Sequence, residues 1–84
     1  MMSLEELGAA VAAKRKTLGL KQGEVARQAG LSQELLSRFE RGRVAELGAR
    51  KLLAVLSVLE LELELVERGM SGTLDELRRE RGAR

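Results

Sequence analysis

Gln33, Glu34, Ser37 and Arg38 stand within six residues of one another. Their side chains share one capability, directional hydrogen bonding. A glutamine amide holds a donor and an acceptor side by side, which matches the N6 and N7 edge of adenine. Arginine's planar fork suits the O6 and N7 edge of guanine or a phosphate, and a carboxylate accepts from the cytosine amine. A serine hydroxyl suits a phosphate oxygen. The same side chains also decorate ordinary solvated helix faces, so the surrounding residues must decide between the two.

Those surroundings are specific. Gln22 to Arg41 read QGEVARQAGLSQELLSRFER. Ala26 and Gly30 fall where two short crossing helices leave no room for a larger side chain. Val25, Ala29, Leu31, Leu36 and Phe39 supply apolar contacts between them. Gly30 suits the turn because glycine takes positive φ without steric conflict. Ser32 is placed as an N-cap before Gln33 and Glu34. The pattern predicts a helix-turn-helix whose second helix, about 33–41, presents its N-terminal end to the DNA major groove. An ordinary helical hairpin in a small bundle is the bland alternative, but it does not require Ala26, Gly30 and Ser32 together.

Composition narrows the function further. A chain of 84 residues makes one small domain that buries only about 60–65% of its unfolded surface and gains from dimerisation. There is no Cys and no His, which removes disulfides, thiolate sites and the commonest general base and metal ligand. With no Trp, no Tyr and one Phe, stacking of single-stranded bases has almost no platform. No cofactor and no metal is expected. The chain has no long apolar run and no basic-then-apolar leader, so the expectation is a cytoplasmic, nucleoid-associated protein without a membrane partner. Residues 1–43 carry eight Lys/Arg against five Asp/Glu, whereas residues 44–68 carry three against five. The positive excess thus coincides with the helix-turn-helix, as a phosphate-facing surface requires.

The remaining elements follow from caps and periodicity. Ser3 and Glu6 form a capping box before a first helix over 3–18, with Leu4, Leu7, Val11 and Leu18 as its stripe and Gly19 as its stop. A second helix spans about 22–29. A fourth spans 46–58, with Leu52, Val55, Leu56 and Leu59 toward the core. Leu59 to Leu65 then alternate Leu and Glu strictly. Helix propensity opposes a strand here, but the alternation predicts one over 59–67. A lone strand needs a partner, and the same segment of a second copy is the simplest. Leu59, Leu61, Leu63 and Leu65 are therefore the dimerisation residues; continuation of the fourth helix through residue 66 is the alternative. The domain ends near residue 68. Gly69 to Gly72 form a link, and a short capped helix and an Arg-rich end complete a flexible tail, 69–84.

The segment LKQGEVARQAGLSQELLSRFERG, with KRKTLGL before it and LLAVLSVLEL after it, resembles the Xre family (Cro/cI-type, lambda repressor-like) of helix-turn-helix proteins. The resemblance covers about residues 4–59. It implies a mainly α, four-to-five-helix lambda repressor-like DNA-binding domain; the Leu-Glu run adds one C-terminal strand pairing across a homodimer. That layout is similar to the HipB-like antitoxins, which repress their own operon and bind a kinase toxin. At 44–46 this chain has Val-Ala-Glu where the family often has a Pro, which implies a different turn into the fourth helix.

The resemblance also assigns roles. It makes Gln33 the base reader and puts Gln22 on the DNA backbone, where the helix amides hold a phosphate. It pairs Arg15 with Glu40 to tie the first helix to the third. Independently of the resemblance, Ser32, Glu34, Ser37 and Arg38 share the DNA-facing helix, the helical pattern exposes Leu35 toward a thymine methyl, and Lys21, Lys14, Arg41 and Arg43 are candidate phosphate contacts. The functional expectation is a sequence-specific regulator of double-stranded DNA, acting as a homodimer on a pseudo-palindromic operator. The alternative is an antitoxin with a toxin partner. An enzyme using Glu60, Glu62 and Glu64 is disfavoured, because alternating strand residues make an exposed row rather than a pocket. A pure scaffold leaves the helix-turn-helix residues unexplained.

Overall fold

The computed structural model describes residues 3–68; the expected link and short helix of 69–84 lie outside the described residues. Four helices follow in order, α1 (Leu4–Thr17), α2 (Gln22–Ala29), α3 (Gln33–Glu40) and α4 (Ala49–Val58). Ser3 starts α1 with a reciprocal capping box. Its hydroxyl accepts from the Glu6 N–H at 3.1 Å, and its own N–H donates to Glu6 Oε1 at 2.9 Å. The Ser3 backbone N–H, and after it the Ser3 hydroxyl, hold the Glu6 carboxyl below its usual range.

One backbone device stops all four helices. The N–H just past each end reaches back to a carbonyl in the last turn: Leu20 to Arg15 at 3.1 Å, Leu31 to Ala26 at 3.0 Å, Arg43 to Arg38 at 2.8 Å and Leu61 to Leu56 at 2.8 Å. The residue before each donor has positive φ. Three times it is glycine, at 19, 30 and 42; the fourth time it is Glu60, at φ 60°. A left-handed turn is strained for a residue with a Cβ.

The core gathers Val11 from α1, Val25, Ala26 and Ala29 from α2, Leu31 from the turn, Leu36 and Phe39 from α3, and Val55, Leu56 and Leu59 from α4 and its end. α1 packs on α3, and α2 packs on both α3 and α4. The approach of α1 to α3 depends on Gly8, which the sequence pattern did not single out. A Cβ there would run into the Phe39 carbonyl, so only glycine lets the two backbones lie this close.

Three expectations need correcting. α4 starts at Ala49 rather than at residue 46, because Gly48 is its extended N-cap and because Val44 and Leu47 pack on the core from an irregular linker. Leu18, placed on the α1 stripe, lies just past the helix end and is 37% exposed. The third correction concerns the Leu-Glu run. Leu59 is the C-cap of α4 and is 0% exposed, so it serves the core of its own chain. Glu60 then turns left-handed, which breaks the extended geometry a strand over 59–67 requires; extension can begin only at Leu61. Among the described residues no strand is formed within the chain. Leu61 packs partly on the core, whereas Leu63 and Leu65 are 55% and 65% exposed. Among the described residues, no helix is long and apolar enough to cross a membrane.

Candidate nucleic-acid interface

The site is built where the N-terminal ends of α2 and α3 meet. Ser32 caps α3 by accepting from the Leu35 N–H at 3.1 Å, so its hydroxyl is engaged by its own helix. Gln33 and Glu34, next in line, are exposed. α2 begins differently. Its N-cap is Lys21, in extended conformation and with no side-chain hydrogen bond to the helix amides. The first N–H groups of α2 are thus free of a side-chain acceptor beside an exposed ammonium, and helix amides with a nearby cation favour an anion.

Between these two helix starts lies an open groove of about 540 Å³, lined by Arg15, Leu20, Lys21, Gln22, Gly23, Glu24 and Gln33. Three of the expected DNA-facing residues, Lys21, Gln22 and Gln33, are brought together here. Arg38, Arg41 and Arg43 are exposed along the rest of α3 and just past it, outside the groove. Arg41 leans back to donate from Nε to the Ser37 carbonyl at 3.3 Å, and Ser37 is itself half-buried. Leu35 is not the exposed residue that the helical pattern suggested. It packs partly on the core, which draws it away from a thymine methyl.

Behind the groove a charged network fixes the geometry. Arg15 donates from Nε to Glu40 Oε2 at 2.7 Å and from Nη2 to Glu40 Oε1 at 2.9 Å. Its Nη1 reaches the Leu20 carbonyl at 2.9 Å. Gln22 Nε2 donates to the same Glu40 Oε1 at 2.8 Å. One buried carboxylate therefore binds α1, α2 and α3 together. The Glu40 hydrogen bonds raise the Arg15 pKa further above its ordinary value, overcoming the opposing effect of burial, so the guanidinium keeps its charge. Among the described residues, no buried side-chain nitrogen or oxygen lacks a partner. Gln22 has a double position: half-buried, it lines the groove while one amide hydrogen is held from behind.

Sequence reasoning missed Leu20, Gly23 and Glu24 as groove residues. For Gly23 a signal was present. It is a glycine within the expected second helix, and such a residue points to packing or function.

Two short helices joined by a glycine turn, with the second helix's start exposed, define a helix-turn-helix of the DNA-binding regulator class. The chain belongs to the Xre-type helix-turn-helix family HTH_3, which it matches over residues 11–66. Solved structures agree. A chain of the HipA–HipB–O2–O3 complex is similar at 26% identity, with a TM-score of 0.71, over 81% of this chain and 94% of that one. The clp gene regulator ClgR of Corynebacterium glutamicum is similar at 28% identity, with a TM-score of 0.67, over 99% of this chain and 77% of that one. No curated protein sequence matches significantly.

Proposed function

We propose that this protein is a sequence-specific regulator of transcription that binds double-stranded DNA as a homodimer, most simply as a repressor. The observation that carries the reading is the exposed Gln33 beside the groove at the uncapped start of α2. In this reading Gln33 pairs with a base edge, adenine by preference, while Lys21, Gln22 and the α2 amides hold a neighbouring phosphate. Arg38 reaches a guanine or a phosphate, Glu34 faces a cytosine amine, and Ser37, Arg41 and Arg43 add backbone contacts that position without specifying. Ser32 acts through the helix start it caps.

Dimerisation is assigned to the arm after α4. Leu63 and Leu65 are exposed and lie on one side of the alternating run, with Leu61 anchoring that run to the core. Pairing of 61–67 with the same segment of a second copy would cover these leucines and satisfy both backbones. Two recognition helices would then face successive major grooves, about 34 Å apart.

The test is selection of bound duplexes from a random pool at stated salt. An enriched pseudo-palindrome with one-turn spacing supports the reading; an unenriched pool refutes it. Leu63→Lys examines the arm, with sedimentation reporting the assembly state. It is expected to yield a monomer with operator affinity reduced at least about tenfold, since each recognition helix then binds alone.

A second reading, that the protein is also an antitoxin, is favoured by the likeness to a chain of the HipA–HipB–O2–O3 complex. Co-purification with the product of a neighbouring kinase-like gene supports it. Purification without such a partner, where that gene is expressed, counts against it.

A further inference from the structure

Gly23 is the second residue of α2 and has no positive φ, so the backbone does not demand glycine. Alanine would be the better helix former there. What occupies the place of its missing methyl is a single side chain. A Cβ at residue 23 would lie 3.1 Å from Gln33 Oε1 and 3.6 Å from Gln33 Cδ, and apart from its own helix backbone and chain neighbours it would meet nothing else within 4 Å. The head of the Gln33 amide therefore rests on the bare face of α2.

We propose that Gly23 is a specificity-determining residue: it seats the Gln33 amide against α2 and so sets which base pair the protein prefers. The proposal rests on the reading of Gln33 as a base-contacting residue. A glutamine side chain has several rotatable bonds, and a two-point contact with adenine requires the amide plane to be held in one attitude. The α2 surface supplies that support from one side, while Gln33 stays exposed toward the other. A methyl at 23 pushes the amide outward by a few tenths of an ångström, and a branched side chain pushes it further. Hydrogen-bond strength falls steeply with such misalignment. Alanine at 23 keeps the backbone N–H that α2 offers a phosphate and alters no charge, so the loss is expected to differ between base pairs rather than to fall on every duplex alike.

The experiment measures binding of the selected operator, and of its single-base-pair variants, by Gly23→Ala, Gly23→Val, Gln33→Ala and the double variant Gly23→Ala/Gln33→Ala, with melting curves for each. Gly23→Ala is expected to raise the melting temperature by about 4 °C and to reduce preference at one base pair by about threefold; Gly23→Val reduces it by about tenfold. On the Gln33→Ala background, Gly23→Ala is expected to change no preference. If Gln33→Ala relaxes one position and Gly23→Ala does not, the proposal is overturned while the base-reading role stands. If Gln33→Ala relaxes no position, that role falls and the proposal with it. If Gly23→Ala weakens every duplex equally, or acts equally with Gln33 absent, Gly23 serves the approach to phosphate and the proposal is wrong.

Discussion

On one side of α3, Leu36 and Phe39 are fully buried and Glu40 is nearly so; on the other, Gln33, Glu34 and Arg38 are exposed. The helix is eight residues long, so both sets share about two turns. An isolated helix of that length would not persist in water. Its buried side therefore has to supply the rigidity that its exposed side uses. Apolar packing supplies part of this. Gly8 lets α1 come up against the Phe39 carbonyl, and Glu40 fastens the end of α3 to Arg15 and Gln22. The exposed side has no comparable restraint beyond the Ser32 cap and the rest that Gly23 offers Gln33. Losing a side chain behind α3 should thus change stability, and losing Gln33 or Lys21 in front should change DNA binding alone.

The largest effect is expected from Glu40→Ala. The Glu40 side chain is 3% exposed and that of Arg15 is 10%, and removing one partner leaves a charge buried without its counterion. The loss is about 3 kcal/mol, which lowers Tm by more than 10 °C on the order-of-magnitude scale for a domain this small, roughly 4–8 °C per kcal/mol. An unchanged melting curve would mean that the pair holds nothing together. Gly8→Ala comes next, at about 2 kcal/mol, because the new methyl forces α1 off α3; chemical denaturation measures it. In front, Gln33→Ala should leave Tm unaltered and remove about 1–3 kcal/mol of discrimination at one base pair. Lys21→Ala should weaken all duplexes alike and reduce the slope of log affinity against log salt by about 1. A front substitution that melts the domain would abolish the contrast between the two sides.

The smallest effect sharpens the same contrast at α4. Glu60→Gly relieves the left-handed strain at the only one of the four described helix ends that lacks a glycine, and should stabilise by about 1 kcal/mol. Unchanged or lower stability would show that the Glu60 side chain compensates for its backbone.

Much of this was legible because it depends on neighbours in the chain. The Ser3–Glu6 box, the Ser32 cap, the glycine stop at 19 and the glycine turn at 30 are local events. So is the apolar spacing of Val25, Ala26, Ala29, Leu36 and Phe39, which places two helices against one another. The errors fall where a residue satisfies two patterns. Leu59 and Glu60 belong to a perfect alternation, yet the core claims Leu59, and closing α4 through the Leu61 to Leu56 hydrogen bond claims Glu60. Leu35 had an outward position by periodicity, but near the start of α3 it packs partly on the core.

The amino-acid sequence by itself determined the four described helices, the turn between α2 and α3, and which side of α3 is polar, because caps, glycines and periodicity act over a few residues. Only the tertiary structure decided that Gly8 admits a backbone, that Glu40 binds three helices at once, and that Gly23 faces Gln33. Those facts depend on distances between segments remote in sequence, and side-chain volume and hydrogen-bond geometry fix such distances only after the chain has packed.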